Sequence, residues 1–236
     1  MITVKIVYNT FLEDVKKFHD LLIFFDSIDL QKAPINATDR SNKAIQLSPG
    51  VETQQILRAN FYLVLYNLVE ATEHIIVQNL KDAIKDEEIH ISKLRSNIHK
   101  LYFQGLFKDV TSTEKIVRLC TSIMEQSSSK TKKIQIDKIF FENTSGNLTY
   151  SNFKNIVTQI GCAGRLTVIE KDLDVAMERT VKLRNKLAHG NESFSTVGAG
   201  ITIQEIDNNY NLITTYLTSV IDNFETYLQN KKFMTL

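Results

Sequence analysis

The spacing of apolar residues along the chain predicts a mainly helical protein. Apolar positions recur at three- and four-residue steps in seven segments, at about 10–30, 51–86, 90–104, 112–127, 151–160, 169–189 and 204–231. The segment 51–86 gives the strongest signal, because its apolar content is almost continuous from Phe61 to Val69. Such a pattern is typical of a helix that is buried on more than one side, as at the centre of a bundle.

The remaining segments predict one short strand and several loops. Residues 2–7 alternate in a way that is consistent with a strand. Residues 31–50 contain both prolines and are predicted to form a connecting loop, and 191–203 a second loop. The polar stretch 128–150 predicts an irregular, partly extended insert with a turn at 143–147. Helices far outweigh strands, so the expected architecture is an elaborated helical bundle with at most a minor β element.

Composition and charge narrow the class of protein. The 236 residues include 28 Lys+Arg and 27 Asp+Glu, which gives a formal net charge of +1. Proteins that bind long nucleic acids non-specifically are usually clearly basic, so this chain can carry only a local basic patch. The uninterrupted apolar run 21–25 is far shorter than the roughly 20 residues of a membrane span. Since the first residues also show no signal-peptide pattern, we expect a cytoplasmic protein without membrane contact.

Most familiar catalytic and metal-binding signatures are absent from the sequence. It contains no glycine-rich phosphate loop, no zinc-protease motif and no hydrolase nucleophile motif. The five histidines do not pair at metal-ligand spacing on one helix face. Cys120 and Cys162 form no paired motif, and we expect both to be ordinary core or half-buried residues. The sequence therefore predicts no metal site and no cofactor.

The predicted helix 169–189 segregates its charges along its length. Its first turns carry Glu170, Asp172, Asp174 and Glu178, and its last turns carry Arg179, Lys182, Arg184 and Lys186. Acids at the start and cations at the end complement the helix dipole, and Gly190 is a usual residue just after a helix. A purely structural interpretation is therefore available for this segment. The functional interpretation concerns Arg184, Asn185 and His189.

Helix geometry limits what one copy of this segment can do. At about 100° per residue, Asn185 and His189 share a face, whereas Arg184 and His189 are about 140° apart and ~7.5 Å apart along the axis. One isolated helix cannot easily aim both Arg184 and His189 at the same small atom. Two copies related by a two-fold axis can, because a self-complementary contact presents each residue twice. If these residues are catalytic, we expect a composite site on a dimer interface.

The same residues carry a resemblance to a known group of proteins. Arg184-Asn185, three further residues and His189 resemble the Arg-polar-x(3–5)-His motif of the HEPN superfamily of helical ribonucleases and nucleotide-binding proteins. Three segments are similar to one prokaryotic MAE-type HEPN nuclease family: residues 57–72, 145–148 and 184–198. Together the matches cover about residues 50–80 and 145–230.

The resemblance implies a four-helix-bundle core with helical insertions, dimerisation, and RNA cleavage without a metal ion. It implies one domain over residues 1–236, with its core at about 50–86 and 145–232. The N-terminal helix within 1–30 and the insert at 90–144 match less clearly. Such nucleases are commonly toxins of toxin–antitoxin or phage-defence loci, so the implied partners are RNA, a second copy and an antitoxin protein.

The chemistry of the motif residues agrees with that implication. RNA can be cut by its own 2′-hydroxyl, provided that one group moves protons and a cation stabilises charge on the phosphorane. Histidine is the side-chain type suited to proton transfer near neutral pH, so His189 can be the general acid or base. Arg184 offers a permanent, forked cation for phosphate oxygens. Asn185 can orient His189 or bind a phosphate or ribose oxygen.

Five further residues are candidates for binding the RNA. Lys182 and Lys186 would attract its backbone. Asn67 and Glu70 lie within the apolar second helix, where they either face the same cleft or are polar residues of the bundle interior or interface. Ser193 could contact a phosphate, although loop serines are usually just solvated.

Two other functions compete with an endoribonuclease. One is a non-catalytic HEPN module that binds a nucleotide or a partner protein through the same basic helix end. The other is a purely structural helical dimer in a larger defence assembly. The aromatic residues Phe61, Tyr62 and Tyr66 are expected to be core residues rather than a platform for stacking bases.

Overall fold

The computed structural model describes residues 4–28, 35–47, 50–108, 110–128, 139–141, 147–163 and 168–235. Its elements in chain order are α1 (Val4–Ser27), β1 (Ile35–Thr38), β2 (Ala44–Leu47), α2 (Val51–Asp86), a 3-10 turn (Ile91–Lys93), α3 (Ser96–Phe107), α4 (Thr113–Ser128), α5 (Tyr150–Ile160), α6 (Glu170–Ala188), α7 (Phe194–Ala199) and α8 (Ile203–Gln229). Within these described ranges, eight α-helices and one two-stranded sheet confirm the predicted mainly α class with a minor β element. None of the helices described here is long and apolar enough to cross a membrane.

Local sequence signals set several of the helix ends. Helix α2 has the predicted bounds, and α5 begins where the Thr149 hydroxyl accepts a hydrogen bond from the Asn152 N–H at 3.3 Å. Gly161 ends α5 with a φ of +83°, a left-handed conformation that favours glycine. The sequence predicts this helix at 151–160, so only its first residue differs in the structure.

The prediction of a strand at residues 2–7 is wrong from Val4 onwards, and residues 2 and 3 lie outside the described ranges. Helix α1 already includes Val4, and Val4 and Tyr8 are buried one helical turn apart while Ile6 is exposed. The Tyr8 hydroxyl lies 3.0 Å from the Thr218 hydroxyl, and Lys5 pairs with Asp222 at 2.6 Å. An alternation of apolar and polar residues over five positions is too short to distinguish a strand from one turn of a helix, whose buried side chains recur every three to four residues.

The loop predictions for 31–50 and 191–203 are wrong in part. The first segment contains the antiparallel pair β1–β2, in which Ile35 lies opposite Leu47. The second contains the six-residue helix α7. Both elements are too short to produce a periodic pattern. The predicted insert at 128–150, with its turn at 143–147, lies mostly outside the described residues.

The two cysteines differ in their surroundings. Cys162 is buried, as expected, and burial raises the pKa of its thiol to about 12. Cys120 is exposed on α4, so the prediction that it is buried or half-buried is wrong. The larger apolar side chains of α4, at 116, 117 and 124, are also exposed, so the exposure of Cys120 is typical of this helix.

The chain forms two compact units. The first comprises Met1–Tyr8, Thr72–Leu166 and Thr218–Leu236. Its fully buried side chains include Leu80, Ile98, Tyr102, Phe153, Ile221, Phe224 and Phe233. The chain end joins this core, since the Arg95 N–H donates to the Phe233 carbonyl at 3.0 Å and the Thr235 N–H to the Lys93 carbonyl at 2.7 Å.

The second unit comprises Asn9–Ala71 and Thr167–Leu217. It contains all the residues of the predicted site, together with parts of α1, α2 and α8 and the whole of α6 and α7. Its buried side chains include Phe61, Tyr62, Leu65, Leu173, Met177, Ile206, Ile213 and Leu217. The expected single domain over 1–236, with a core at about 50–86 and 145–232, stays a prediction.

Close contact between two backbones fixes α7 within the second unit. A Cβ atom at Gly198 would lie 1.8 Å from the Gln55 carbonyl oxygen of α2, a distance that real Cβ atoms essentially never show. Only a residue without a side chain fits there. Because α7 directly follows the turn after α6, this contact ties that turn to α2.

We expect Gly198→Ala to destabilise the protein by about 1–3 kcal/mol or more, because the added methyl group must push two backbones apart. Gly200→Ala is the matched control, since its Cβ would be 3.8 Å from the nearest atom and its φ of −91° suits alanine. Urea unfolding measures both. Equal midpoints for the two variants would contradict the close contact.

Candidate functional site

The end of α6 is built by a complete glycine-terminated turn. The Gly190 N–H donates to the Leu187 carbonyl at 3.1 Å, and the Asn191 N–H donates to the Lys186 carbonyl at 3.2 Å. Gly190 has a φ of +65°. These are the two hydrogen bonds of a Schellman motif, as predicted from the position of Gly190. The chain therefore turns sharply just after His189, which is exposed at the helix end.

The apolar face of α6 places Arg184 against α2. Seven side chains of α6 are buried: Leu173, Ala176, Met177, Thr180, Val181, Leu183 and Leu187. From the edge of this face, the Arg184 guanidinium lies 4.7 Å above the centre of the Tyr66 ring. Its Nη2 is 3.7 Å from the Glu70 Oε1, and its Nη1 donates to the Asn185 Oδ1 at 3.0 Å. The structure thus brings together Arg184, Asn185 and Glu70 around Tyr66.

Asn185 contacts both Arg184 and the backbone of His189. Its backbone carbonyl accepts a hydrogen bond from the His189 N–H at 3.1 Å, as the last helical turn requires. Its side-chain oxygen accepts from Arg184, a contact that the sequence did not suggest. The His189 ring, by contrast, makes no hydrogen bond to any residue that the structure describes. Arg184 is therefore held in place while the His189 ring is open to solvent.

The remaining predicted residues have different surroundings. Lys186 forms an ion pair with Glu192 in the turn after α6. Ser193 is the N-cap of α7, and its hydroxyl accepts a hydrogen bond from the Thr196 N–H at 3.1 Å. Lys182 and Asn67 are both exposed. Ser193 thus has a capping role, and Lys182 is the predicted RNA-binding cation that remains accessible.

A shared carboxylate holds α6 in place next to this site. The Glu205 Oε1 of α8 accepts hydrogen bonds from the Tyr62 hydroxyl at 3.0 Å and from the Arg179 Nε at 2.8 Å. The Asn209 amide donates to the Tyr62 hydroxyl at 2.9 Å. Burial, and then the Glu205 charge, raise the pKa of Tyr62 well above its usual range. The sequence gave no local signal for this group, because Tyr62 and Glu205 are 143 positions apart.

The described residues contain no group of three or more His, Cys, Asp or Glu side chains that could hold a metal ion. The polar atoms that converge here instead belong to an arginine, an asparagine and a glutamate at the end of one helix, beside an exposed histidine. Such a group can bind an anion through the guanidinium and move a proton through the imidazole.

A helical protein with Arg-Asn-x3-His at the end of a half-buried helix has the features of the HEPN class. The MAE_28990-like HEPN family, a MAE-type HEPN family, matches residues 25–233 of the chain. The protein belongs to this family. No curated protein and no solved structure matches the chain. Family membership supports a nuclease or a nucleotide-binding module.

Tyr62 makes the stability of the fold sensitive to alkaline pH. The folded state retains the Tyr62 proton more tightly than the unfolded chain, whose tyrosines titrate near pH 10.0. The contribution of protonated Tyr62 to the unfolding free energy is therefore complete below that pH and is lost as the pH rises above it. For one group, the loss is at most about 1.4 kcal/mol per pH unit. Between roughly pH 9.5 and 11, we expect the unfolding free energy of Tyr62→Phe to fall less steeply with pH than that of the wild type. Equal slopes for the variant and the wild type would show that Tyr62 does not carry this dependence.

Proposed function

We propose that this protein is an endoribonuclease that cleaves RNA without a metal ion. The observation that carries the proposal is the end of α6, where Arg184 is fixed by Tyr66, Glu70 and Asn185 and His189 is open to solvent. A permanent cation and a side chain that can accept and release a proton are the two components that cleavage by the 2′-hydroxyl requires.

In the proposed reaction, the 2′-oxygen forms a bond to the adjacent phosphorus as it loses its proton. The bond from phosphorus to the 5′-oxygen then breaks, and that oxygen gains a proton. The products are a 2′,3′-cyclic phosphate and a 5′-hydroxyl. His189 moves one of these protons, and Arg184 stabilises the negative charge on the phosphorane. Asn185 supports the reaction by holding the guanidinium.

The RNA backbone would approach along the exposed side of α6. Lys182 is accessible there, and Lys186 becomes available when its ion pair with Glu192 opens. Asn67 and Ser193 remain proposed contacts to sugar or phosphate. We infer further that the nuclease acts as a toxin or phage-defence component, with an antitoxin protein as its regulator, as is common in this superfamily.

The site is proposed to be composite, in a homodimer. Helix geometry separates Arg184 and His189 of one copy by about 140° around the axis of α6. A two-fold axis near the end of α6 brings Arg184 of one copy close to His189 of the other. The exposure of His189 supports this arrangement, because its ring is accessible to a second molecule.

Purified protein in EDTA should cleave total RNA or tRNA and leave cyclic phosphate ends. Arg184→Ala and His189→Ala should each lower the rate by about 10²-fold or more, since each removes a whole catalytic contribution. Matched controls are Arg118→Ala and His74→Ala, which remove an exposed arginine and an exposed histidine of the first unit. Cleavage that persists in both motif variants would overturn the assignment.

A mixing experiment tests the composite site. When Arg184→Ala and His189→Ala proteins exchange subunits, half of the dimers are mixed, and one of the two sites in each mixed dimer has both residues intact. We expect about a quarter of the wild-type activity to return. No recovery, with subunit exchange shown by mass spectrometry, would place Arg184 and His189 of one copy in the same site.

The strongest alternative is a non-catalytic HEPN module that binds a nucleotide or a partner protein. The carboxylates beside Arg184 and Lys186 favour it, because they neutralise two of the cations that RNA would need. Tight binding of a nucleotide by a wild-type protein that cleaves no RNA would support this function instead.

A further inference from the structure

Arg184 is held by two residues of α2 that belong to neither the motif nor its loop. Tyr66 and Glu70 are four positions apart and therefore lie on the same face of their helix. The Tyr66 ring, only 2% exposed, lies below the guanidinium, and the Glu70 carboxylate lies beside it. We call Tyr66 and Glu70 the Arg184 seat.

The contacts of Arg184 with Tyr66, Asn185 and Glu70 constrain different parts of its guanidinium. The ring face sets the height of the guanidinium, because a cation is attracted to the face of an aromatic ring within about 6 Å. Asn185 holds Nη1, and Glu70 is closest to Nη2. At 3.7 Å, Glu70 is further away than in a tight, charge-assisted hydrogen bond of about 2.7–2.9 Å. It therefore attracts the guanidinium without binding it as tightly as a direct partner would.

A carboxylate in this position is poorly suited to bind RNA directly. Its negative charge repels a phosphate, whereas the same charge beside a guanidinium keeps that cation in place. A buried aromatic ring also needs no cation above it in order to pack, so the position of Arg184 over Tyr66 adds a contact that core packing does not require. Both features indicate that the seat serves Arg184.

We propose that Tyr66 and Glu70 are positioning residues, which hold the Arg184 guanidinium in the orientation that it needs to stabilise the phosphorane. The catalytic consequence rests on the proposed endoribonuclease function. A cation that is fixed before the substrate arrives does not have to be ordered during the reaction, so the effect of the seat falls on the chemical step. Glu70 thereby acts through Arg184 instead of through the RNA.

Tyr66 is tested with a pair of substitutions. Tyr66→Phe keeps the ring face, and we expect kcat within about twofold of the wild type. Tyr66→Leu removes the ring face, and we expect kcat to fall about tenfold with little change in KM. In the Arg184→Ala background, Tyr66→Leu should cause no further loss, because its effect passes through Arg184. A full additional loss in that background would overturn the positioning role.

Glu70 provides a second variant that does not disturb the core, since its side chain is 38% exposed. Glu70→Gln should lower kcat about two- to fivefold and leave KM unchanged or lower. The matched control is Glu178→Gln, an exposed acid of α6, which should leave both constants unchanged. A higher KM with an unchanged kcat would show instead that Glu70 binds the substrate.

A measurement without RNA separates this proposal from the endoribonuclease itself. Ring currents of Tyr66 should shift the NMR signal of the Arg184 Nε–H group. This signal is assigned to Arg184 because it is absent from the spectrum of the Arg184→Lys variant. The shift should persist in Tyr66→Phe and be lost in Tyr66→Leu. An unchanged shift in folded Tyr66→Leu would overturn the seat. A wild type that cleaves no RNA would overturn the endoribonuclease, and the NMR shift would still decide whether the seat exists.

Discussion

Helix α6 is joined to α2 and α8 through one carboxylate, that of Glu205. It accepts hydrogen bonds from Tyr62 of α2 and Arg179 of α6, so that three helices of the second unit meet at a single group. The Arg179 and Glu205 side chains are 35% and 28% exposed, so solvent reduces the cost of losing this ion pair. Together with the buried face of α6, the shared carboxylate helps to set how α6 lies against α2. One to two turns further along both helices, that arrangement places Arg184 over Tyr66.

The four cations at the end of α6 have different environments, which the charge pattern alone could not show. Arg179 belongs to the Glu205 contact, and Lys186 pairs with Glu192 across the helix end. Lys182 is exposed on the helix surface. Arg184 lies between α6 and α2, with Glu70 beside it. The helix-dipole interpretation accounts for a general excess of cations, but it does not explain why one arginine lies over a buried aromatic ring.

Local patterns predicted the parts of the fold that depend on local physics. The long apolar stripe of α2 and the glycine after α6 each involve residues within a few positions of one another. The fold was less predictable where a local pattern was short, as at Val4 and in α7. It was not predictable where partners are far apart in the chain. The contact of Gly198 with Gln55 is an example, because no local pattern indicates a close approach between two backbones.

The candidate site was likewise predictable where it depends on residues close together in the sequence, and not where it depends on distant ones. The spacing of Arg184, Asn185 and His189 and the polar positions in α2 were visible in the sequence. The sequence left open where Glu70 points, and in the structure its carboxylate lies 3.7 Å from the Arg184 guanidinium. The role of Tyr66 was not visible, since a tyrosine in an apolar stripe has the same pattern whether or not a cation lies above it. Only the position of α6, set by distant residues, distinguishes these cases.

The two proposed catalytic side chains differ in how firmly the structure holds them. Three contacts hold the Arg184 guanidinium, whereas His189 is fixed through its backbone by the turn at Gly190 and its ring is exposed. A general acid or base must be oriented towards one oxygen atom before it can act, so an exposed ring at a helix end needs a further contact. In the proposed mechanism, that contact comes from the RNA or from a second copy of the chain.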